Sequence, residues 1–417
     1  MSETLHTADG ADEQAPLISR RTAVTGVSAA ALLGVPAAAG TAAADDTAAE
    51  APTAAGPDRP ELQEAVQAVV DAGFAGVQMR VNDARGEWVG SAGVRKLGAA
   101  AKPPTNGLFR IASTTKTFVA TLVLQLVADG VIGLDDPVAP HLPRFELDGE
   151  ITVRMLLQHR SGLHNFTGVL GPDGSLVEGI PATGKEWVET RLQTYRPDEL
   201  VEFALARPSR FAPGEAFEYT NTNYVMAALL VESLTGRPYG EQMRRRILRP
   251  LGMADTLVPG ARLDIPGPHA HGYYRYQDGG EWKVVDVTRQ SPSLLHGAGE
   301  MISTTKDLHR FVSALMGGRL LPAPLLAEMR TPDPAIGYGL GLFVEERSTG
   351  AGTTTVVHHN GGTPGGFGSV MVSSLDGRTT LTAGVSTGDS DMNPAAAFPA
   401  ALNGLINAVF GDTGSAG

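Results

Sequence analysis

Three short motifs follow one another along this chain: Ser113-Thr-Thr-Lys116, Tyr219-Thr-Asn221 and His359-Asn-Gly361. They supply a hydroxyl nucleophile, an amine one helical turn away, a phenol, an amide and an imidazole. Such a set can form and break an acyl-enzyme without a metal, a cysteine or a Ser-His-Asp triad. Ser113 stands just before a strong helical run, where outward-pointing amides stabilise developing negative charge. Lys116 at i+3 shares its helix face. Apolar neighbours such as Ile111 and Phe118 would desolvate the amine, lower its pKa and let it act as a base. Tyr219 would lie near Ser113 as base or proton shuttle, with Asn221 donating to substrate or to Lys116. The plainer reading of that cluster is a helix cap, with Asn221 or Thr222 capping a helix that starts near Tyr224. His359-Asn360-Gly361 ends an alternating strand and runs into Gly362-Thr-Pro-Gly-Gly366. Glycine there lets a substrate approach backbone, and the edge can offer an N–H to an oxyanion. A simple glycine-rich turn is the alternative.

Rival chemistries fail on the same residues. Gly384-Val-Ser386-Thr-Gly388 matches a G-x-S-x-G elbow, but that fold needs a later histidine and none follows His359. His269-Ala-His271 and His358-His359 lack an H-E-x-x-H pattern and nearby carboxylates, so no metal is expected.

Composition narrows the class. The 417 residues are 42% hydrophobic and 19% charged, enough for one large domain or two interleaved subdomains. A net charge of −12 and no Lys/Arg cluster give no support to nucleic-acid binding. Cysteine is absent, which removes disulfides and thiolate sites. Ser19-Arg20-Arg21-Thr22 precedes an apolar, Ala-rich run from about Ala23 to Ala39. This reads as a twin-arginine export signal (residues 1–44) followed by a disordered tether (45–60), hence a secreted, extracytoplasmic protein.

The elements that must position the motifs follow from periodicity. Glu61 to Ala72 has helical spacing and stops at Gly73. Val77–Val81 and a run from Trp88 alternate as strands around a turn at Asp83 to Gly86. Phe118 to Val127 is a buried helix ended by Gly130. Residues 130–300 carry helical runs, including Tyr224 to Leu234. Strands return at Gly339–Glu345, Thr353–His358, Gly368–Val372 and Thr379–Val385, with a hairpin turn at Asp376-Gly377. Pro394 to Phe410 closes as a helix. Without βαβ alternation the expectation is an α+β fold: an antiparallel sheet flanked by the N- and C-terminal helices plus a mostly helical subdomain.

At this point the chain resembles the serine penicillin-recognising hydrolases: class C β-lactamases, secreted D-alanyl-D-alanine carboxypeptidases and related esterases and D-aminopeptidases. The resemblance rests on the three motifs and on the blocks Phe109 to Phe118, Leu124 to Gly130, Ile151 to Leu163, Pro213 to Tyr224 and Gly337 to Leu342, across roughly 60 to 410. It implies one domain over 61–412, its sheet part about 61–112 and 301–412, its helical part about 113–300, and the cleft between them. It also implies that Ser113 attacks the carbonyl, Lys116 and Tyr219 manage its proton, and Asn221 positions Lys116 and substrate. His359 would replace the lysine of a K-T-G motif, and the amides of Ser113 and Gly362 would form an oxyanion hole. No cofactor is implied; the partner would be a small peptide, amide, ester or β-lactam. Asn360, Gly361 and Phe343 fall where substrate would lie. Related carboxypeptidases carry hydroxyl residues one and three positions after the strand histidine, and an Arg after Gly-Tyr-Gly-Leu-Gly-Leu. Here those positions hold Asn360, Gly362 and Phe343, so no Arg fork is present for a terminal carboxylate; the direction of nearby Arg347 is open. The leading expectation is a D-alanyl-D-alanine carboxypeptidase/β-lactamase-type peptidase or amidase. An esterase, a D-aminopeptidase or a non-turnover penicillin- or peptide-binding protein are the alternatives.

Overall fold

The computed structural model describes residues 58–170, 176–177, 179–349 and 352–411. The expected export signal and the tether up to residue 57 lie outside the described residues. The fold begins slightly earlier than expected. Arg59 is buried and binds Asp83 and Glu61 through Nη1 and Nε, at 2.8 and 3.1 Å. Pro60 then occupies the first turn of helix α1 (Pro60–Asp71), where a missing N–H costs nothing.

A six-stranded antiparallel sheet organises the molecule. Strands β1 (Gly76–Asp83) and β2 (Gly86–Gly93) form its first hairpin, and a short β3 (Phe109–Arg110) leads to the nucleophile turn. Helix α2 (Thr115–Ala128) runs through the centre of the helical part, and nearly every side chain along it is buried. The expected helical part then holds α3 (Val153–Leu157), a two-stranded β4–β5 pair (Val169–Leu170, Leu176–Val177), α4 (Gly184–Thr190), α5 (Pro197–Leu205), α6 (Asn221–Thr235) and α7 (Tyr239–Met243). It is not all helix. Strands β6 (Tyr273–Asp278) and β7 (Glu281–Asp286) form a hairpin whose turn residues Gly279 and Gly280 both have positive φ, 62° and 87°. A short β8 (Ile302–Ser303) pairs with β3.

The chain returns to the sheet through α8 (Thr305–Met316) and α9 (Ala323–Met329), then β9 (Phe343–Thr349), β10 (Gly352–Gly362), β11 (Phe367–Ser374) and β12 (Thr380–Ser386). Helix α10 (Pro394–Phe410) ends the described fold. Strand order is β2-β1-β12-β11-β10-β9. The expected strand Gly339–Glu345 is displaced to Phe343–Thr349. Its glycines alternate with apolar residues because the segment is wedged against two helices: a Cβ on Gly339 would lie 2.2 Å from Met329 O, and one on Gly341 would lie 2.4 Å from Ala120 Cβ.

The two faces of the sheet differ in chemistry. Val77, Met79, Val81, Val370, Val372, Leu381, Ala383 and Val385 face outward into one apolar core with Leu62, Val66 and Val69 of α1 and Leu402, Leu405 and Ile406 of α10. Each of these buried aliphatic side chains contributes about 1.5–3 kcal/mol. The inner face carries Gln78, Ser369, Thr380 and Thr382, all buried. Its polar groups bind the loops laid across it: Gln78 Nε2 donates to Gly107 O at 3.1 Å, Thr382 Oγ1 to Thr305 O at 2.9 Å and Ser369 Oγ to Ile111 O at 2.6 Å. A polar, fully buried face needs such partners. The last of these bonds holds the turn that carries Ser113.

Candidate active site

The turn Ala112–Thr114 leads into α2, so Ser113 stands at the amino end of the central helix. Ala112 has φ of +46°, a left-handed conformation that costs a non-glycine residue about 1–2 kcal/mol. The surroundings hold it there. Ser369 Oγ lies 2.8 Å from Thr114 Oγ1, and Thr114 Oγ1 reaches His359 O at 3.2 Å. Gly361 presses on the other side: a Cβ there would lie 2.4 Å from Ser113 N and 2.9 Å from Ile111 O. Strand β10 and the nucleophile turn touch through backbone, which only glycine allows.

Lys116 is wholly buried. Its Nζ lies 2.8 Å from Asn221 Oδ1, 2.8 Å from Ala298 O and 3.1 Å from Ser113 Oγ. Burial pushes the amine well below its ordinary pKa. Nζ donates to Asn221 Oδ1 and to Ala298 O; when the amine is deprotonated these two bonds use both of its hydrogens, and its lone pair can then take the Ser113 proton. Asn221 is free for this because Thr220 caps α6, its Oγ1 accepting from Thr222 N at 3.2 Å. Neither Asn221 nor Thr222 is the cap, and the helix starts three residues before Tyr224.

Tyr219 lies beside the nucleophile and its base: its ring centre is 4.8 Å from Lys116 Nζ, and its hydroxyl is near enough to the Ser113 side chain to feel it. Burial holds the phenol above its ordinary pKa, so it keeps its proton and can donate. His359 is buried next to Tyr219, their ring centres 6.5 Å apart. Burial first, then the nearby Lys116, push its pKa down to about 3, so the ring is neutral. Nδ1 donates to Asn360 O at 2.7 Å, which leaves Nε2 to accept from Tyr338 Oη at 3.4 Å.

Strand alternation places the remaining expected residues. His359 and Gly361 share the inner face with Met371 and Ser369, their β11 partners. Asn360 pairs with Val370 of the outer core, so its side chain belongs to the opposite face from Ser113. As a side-chain contact to substrate, Asn360 is therefore corrected to a backbone position on the edge. Thr363 N donates to Phe367 O, and narrow and wide pairs alternate, so the Gly362 N–H points away from β11. On that side β9 pairs only as far as His358 with Phe343, which leaves residues 359–362 as a strand edge unpaired by β9 next to Ser113. Phe343 stacks on His358 with ring centres 5.2 Å apart and meets Tyr338 edge-on at 4.6 Å. Arg347 turns to Glu345 and to Asn403 of α10, 2.9 Å away, and supplies no cation to the cleft.

Some contributors carried no local signal. Ala298 offers only a carbonyl, and Ser369 looks like any strand serine. His159 and Tyr338 stood inside the resembling blocks but had no assigned part. The rejected elbow serine, Ser386, is buried within β12. His269 and His271 lie side by side, and no group of metal-ligating side chains occurs among the described residues.

With this geometry in view, comparison with known proteins is consistent throughout. A family model described as Beta-lactamase matches residues 62–404. Penicillin-binding protein 4* of Bacillus subtilis is 29% identical over 291 residues, 66% of this chain and 60% of that protein. The chain thus spans about six-tenths of the length of the curated relatives it matches first. Among solved structures, a D-stereospecific amidohydrolase from Streptomyces sp. is 36% identical with a TM-score of 0.72, over 85% of this chain and 99% of that one. D-amino acid amidase from Ochrobactrum anthropi SV3 is 27% identical with a TM-score of 0.69, over 84% of this chain and 97% of that one. The chain belongs to the beta-lactamase family and has the serine β-lactamase/transpeptidase fold.

Proposed function

We propose that this protein is a serine amide hydrolase that works through an acyl-Ser113 intermediate on amides of D-configured amino acids. The observation that carries the reading is the fully buried Lys116, whose Nζ lies 3.1 Å from Ser113 Oγ and is held there by Asn221 Oδ1 and Ala298 O. In the proposed reaction the Ser113 proton passes to Lys116 Nζ as Oγ attacks the carbonyl carbon. The amides of Ser113 and Gly362 hold the resulting oxyanion. Tyr219 gives its proton to the leaving nitrogen as the C–N bond breaks, and the proton on Lys116 restores the phenol. Water then adds to the Ser113 ester and releases the acid.

The substrate assignment is supported by what the cleft edge lacks. A terminal carboxylate calls for a cation. Here Phe343 stands where an Arg was sought, His359 is neutral, and Arg347 is bound to Asn403 on the far face. That argues against a carboxypeptidase and agrees with the relatedness to an amidohydrolase and an amidase. We further propose that residues 1–44 direct twin-arginine export.

A substrate panel on purified protein tests this. D-amino-acid amides, their L-enantiomers, D-Ala-D-Ala peptides, short esters and a cephalosporin are compared side by side. The expected result is fastest turnover of D-amino-acid amides and a decaying adduct on Ser113 by mass spectrometry. Preference for D-Ala-D-Ala peptides, equal rates on both enantiomers, or an adduct that never decays would each defeat the proposal.

A further inference from the structure

We propose that His159 is the positioning residue for Tyr219, a role that rests on the amide-hydrolase reading above. His159 is fully buried and left-handed, with φ of +59°, one of two described non-glycine residues with positive φ. The other, Ala112, adjoins the nucleophile. Strain of this kind persists only where the surroundings impose it.

What imposes it is the backbone on both sides of Tyr219. His159 O accepts from Glu218 N at 3.0 Å, and His159 Nδ1 accepts from Thr220 N at 3.2 Å. The residue therefore grips the chain immediately before and immediately after the phenol. Its ring also lies against the Tyr219 ring, centre to centre 4.2 Å. An ordinary right-handed backbone at residue 159 would swing either the carbonyl or the imidazole out of reach.

The tautomer follows. Because Nδ1 accepts, Nε2 carries the hydrogen, and that buried atom has no hydrogen-bond partner. It sits among Tyr224 and Tyr338, with ring centres 5.2 and 5.1 Å away. The groups facing His159 are thus the rings of Tyr219, Tyr224 and Tyr338, with Lys116 and His359 nearby. Burial holds its pKa well below the ordinary value, and any positive charge on Lys116 or His359 would push it the same way. His159 touches none of the reacting atoms. It acts by fixing where the Tyr219 hydroxyl meets the leaving group.

The test uses two substrates with one D-acyl group, a p-nitroanilide and a p-nitrophenyl ester. An aniline must be protonated to leave, whereas p-nitrophenolate leaves without help, so only the anilide depends on Tyr219 as acid. His159→Ala should lower kcat on the anilide about 100-fold, the effect of roughly a 1 Å misplacement, with KM moved less than about 3-fold. The ester should lose under about 5-fold. His159→Asn should recover most of the anilide rate, because Asn tolerates the left-handed region and its Oδ1 takes the place of Nδ1. In a Tyr219→Phe background, His159→Ala should add less than about 3-fold. Equal losses on the two substrates, or the same loss with and without the Tyr219 hydroxyl, would overturn the inference. A wild-type protein that cleaves neither substrate would overturn the function proposed above and this role with it. A wild type that cleaves both, with multiplicative losses, rejects His159 alone.

Discussion

Replacing Lys116 by Met removes the amine while nearly keeping the length of the side chain, and the structure gives the size of the effect. Three interactions end at Nζ, and the one to Ser113 activates the nucleophile. General-base assistance alone is worth about 10²–10⁴ in rate. Nucleophile and base act as a unit, and loss of one member of such a unit costs on the order of 10⁶ in a well-studied serine protease. We expect a fall of about 10⁴ or more in kcat/KM on D-amino-acid amides, roughly 5.4 kcal/mol of transition-state stabilisation. Lys116→Arg should be equally inactive, because a guanidinium does not release its proton.

The same substitution has a signature in folding. Burial makes the Lys116 amine give up its proton more readily in the folded protein than in the unfolded chain, where its pKa is about 10.4. Between its depressed folded pKa and the unfolded value, the unfolded chain binds one more proton, so stability rises with pH across that window. Its contribution is complete above the unfolded pKa and is lost as pH falls through the folded one. Within that window the wild type should gain stability with pH more steeply than Lys116→Met, by up to about 1.4 kcal/mol per pH unit. Urea titrations at stepped pH measure the slope, and acylation bursts measure the rate. A variant within 100-fold of wild type, with an unchanged slope, would refute the neutral-base assignment.

Other outcomes follow from the same site. The pH–rate profile for amides should show no imidazole limb between about pH 5 and 8, because the His359 pKa is pushed down to about 3. Gly361→Ala should unfold at a markedly lower temperature and acylate slowly, since its Cβ would meet backbone atoms 2.4 and 2.9 Å away; differential scanning calorimetry reads the first effect. Ser369→Ala removes the shorter of two bonds to Ile111 O, leaving the one from Thr114 N at 3.1 Å, so it should cost about 0.5–1.5 kcal/mol and lower kcat more than it raises KM. Arg20→Lys combined with Arg21→Lys should keep the protein inside the cells that express it, as read by immunoblot of cell and medium fractions.

The sequence was most legible where chemistry is local. Ser113 and Lys116 are three residues apart on one helix, so spacing alone put amine beside alcohol. The terminal helices and the strands around Asp83–Gly86 and Asp376-Gly377 were also readable, since one apolar core reads only every second residue of each strand. The Gly339–Leu342 segment misled because glycines selected for close helix packing imitate strand alternation. The β6–β7 hairpin was missed although Tyr273 to Asp286 alternates around Asp278-Gly-Gly, a turn signal hidden among helical neighbours. Asn360 illustrates a different limit: adjacency in a motif says nothing about which face a strand residue takes. His159 and Ala298 could not be assigned from spacing at all, because their parts depend on backbone brought together across 61 and 182 residues.

The two ends of the described fold both lie behind the sheet. Helices α1 and α10 pack together against its outer layer, while Ser113 opens on the other side. A tag or linker fused directly to the first or last described residue, 58 or 411, therefore leaves the molecule on the side away from Ser113, and a protein trimmed to those residues can be tethered there without covering the nucleophile.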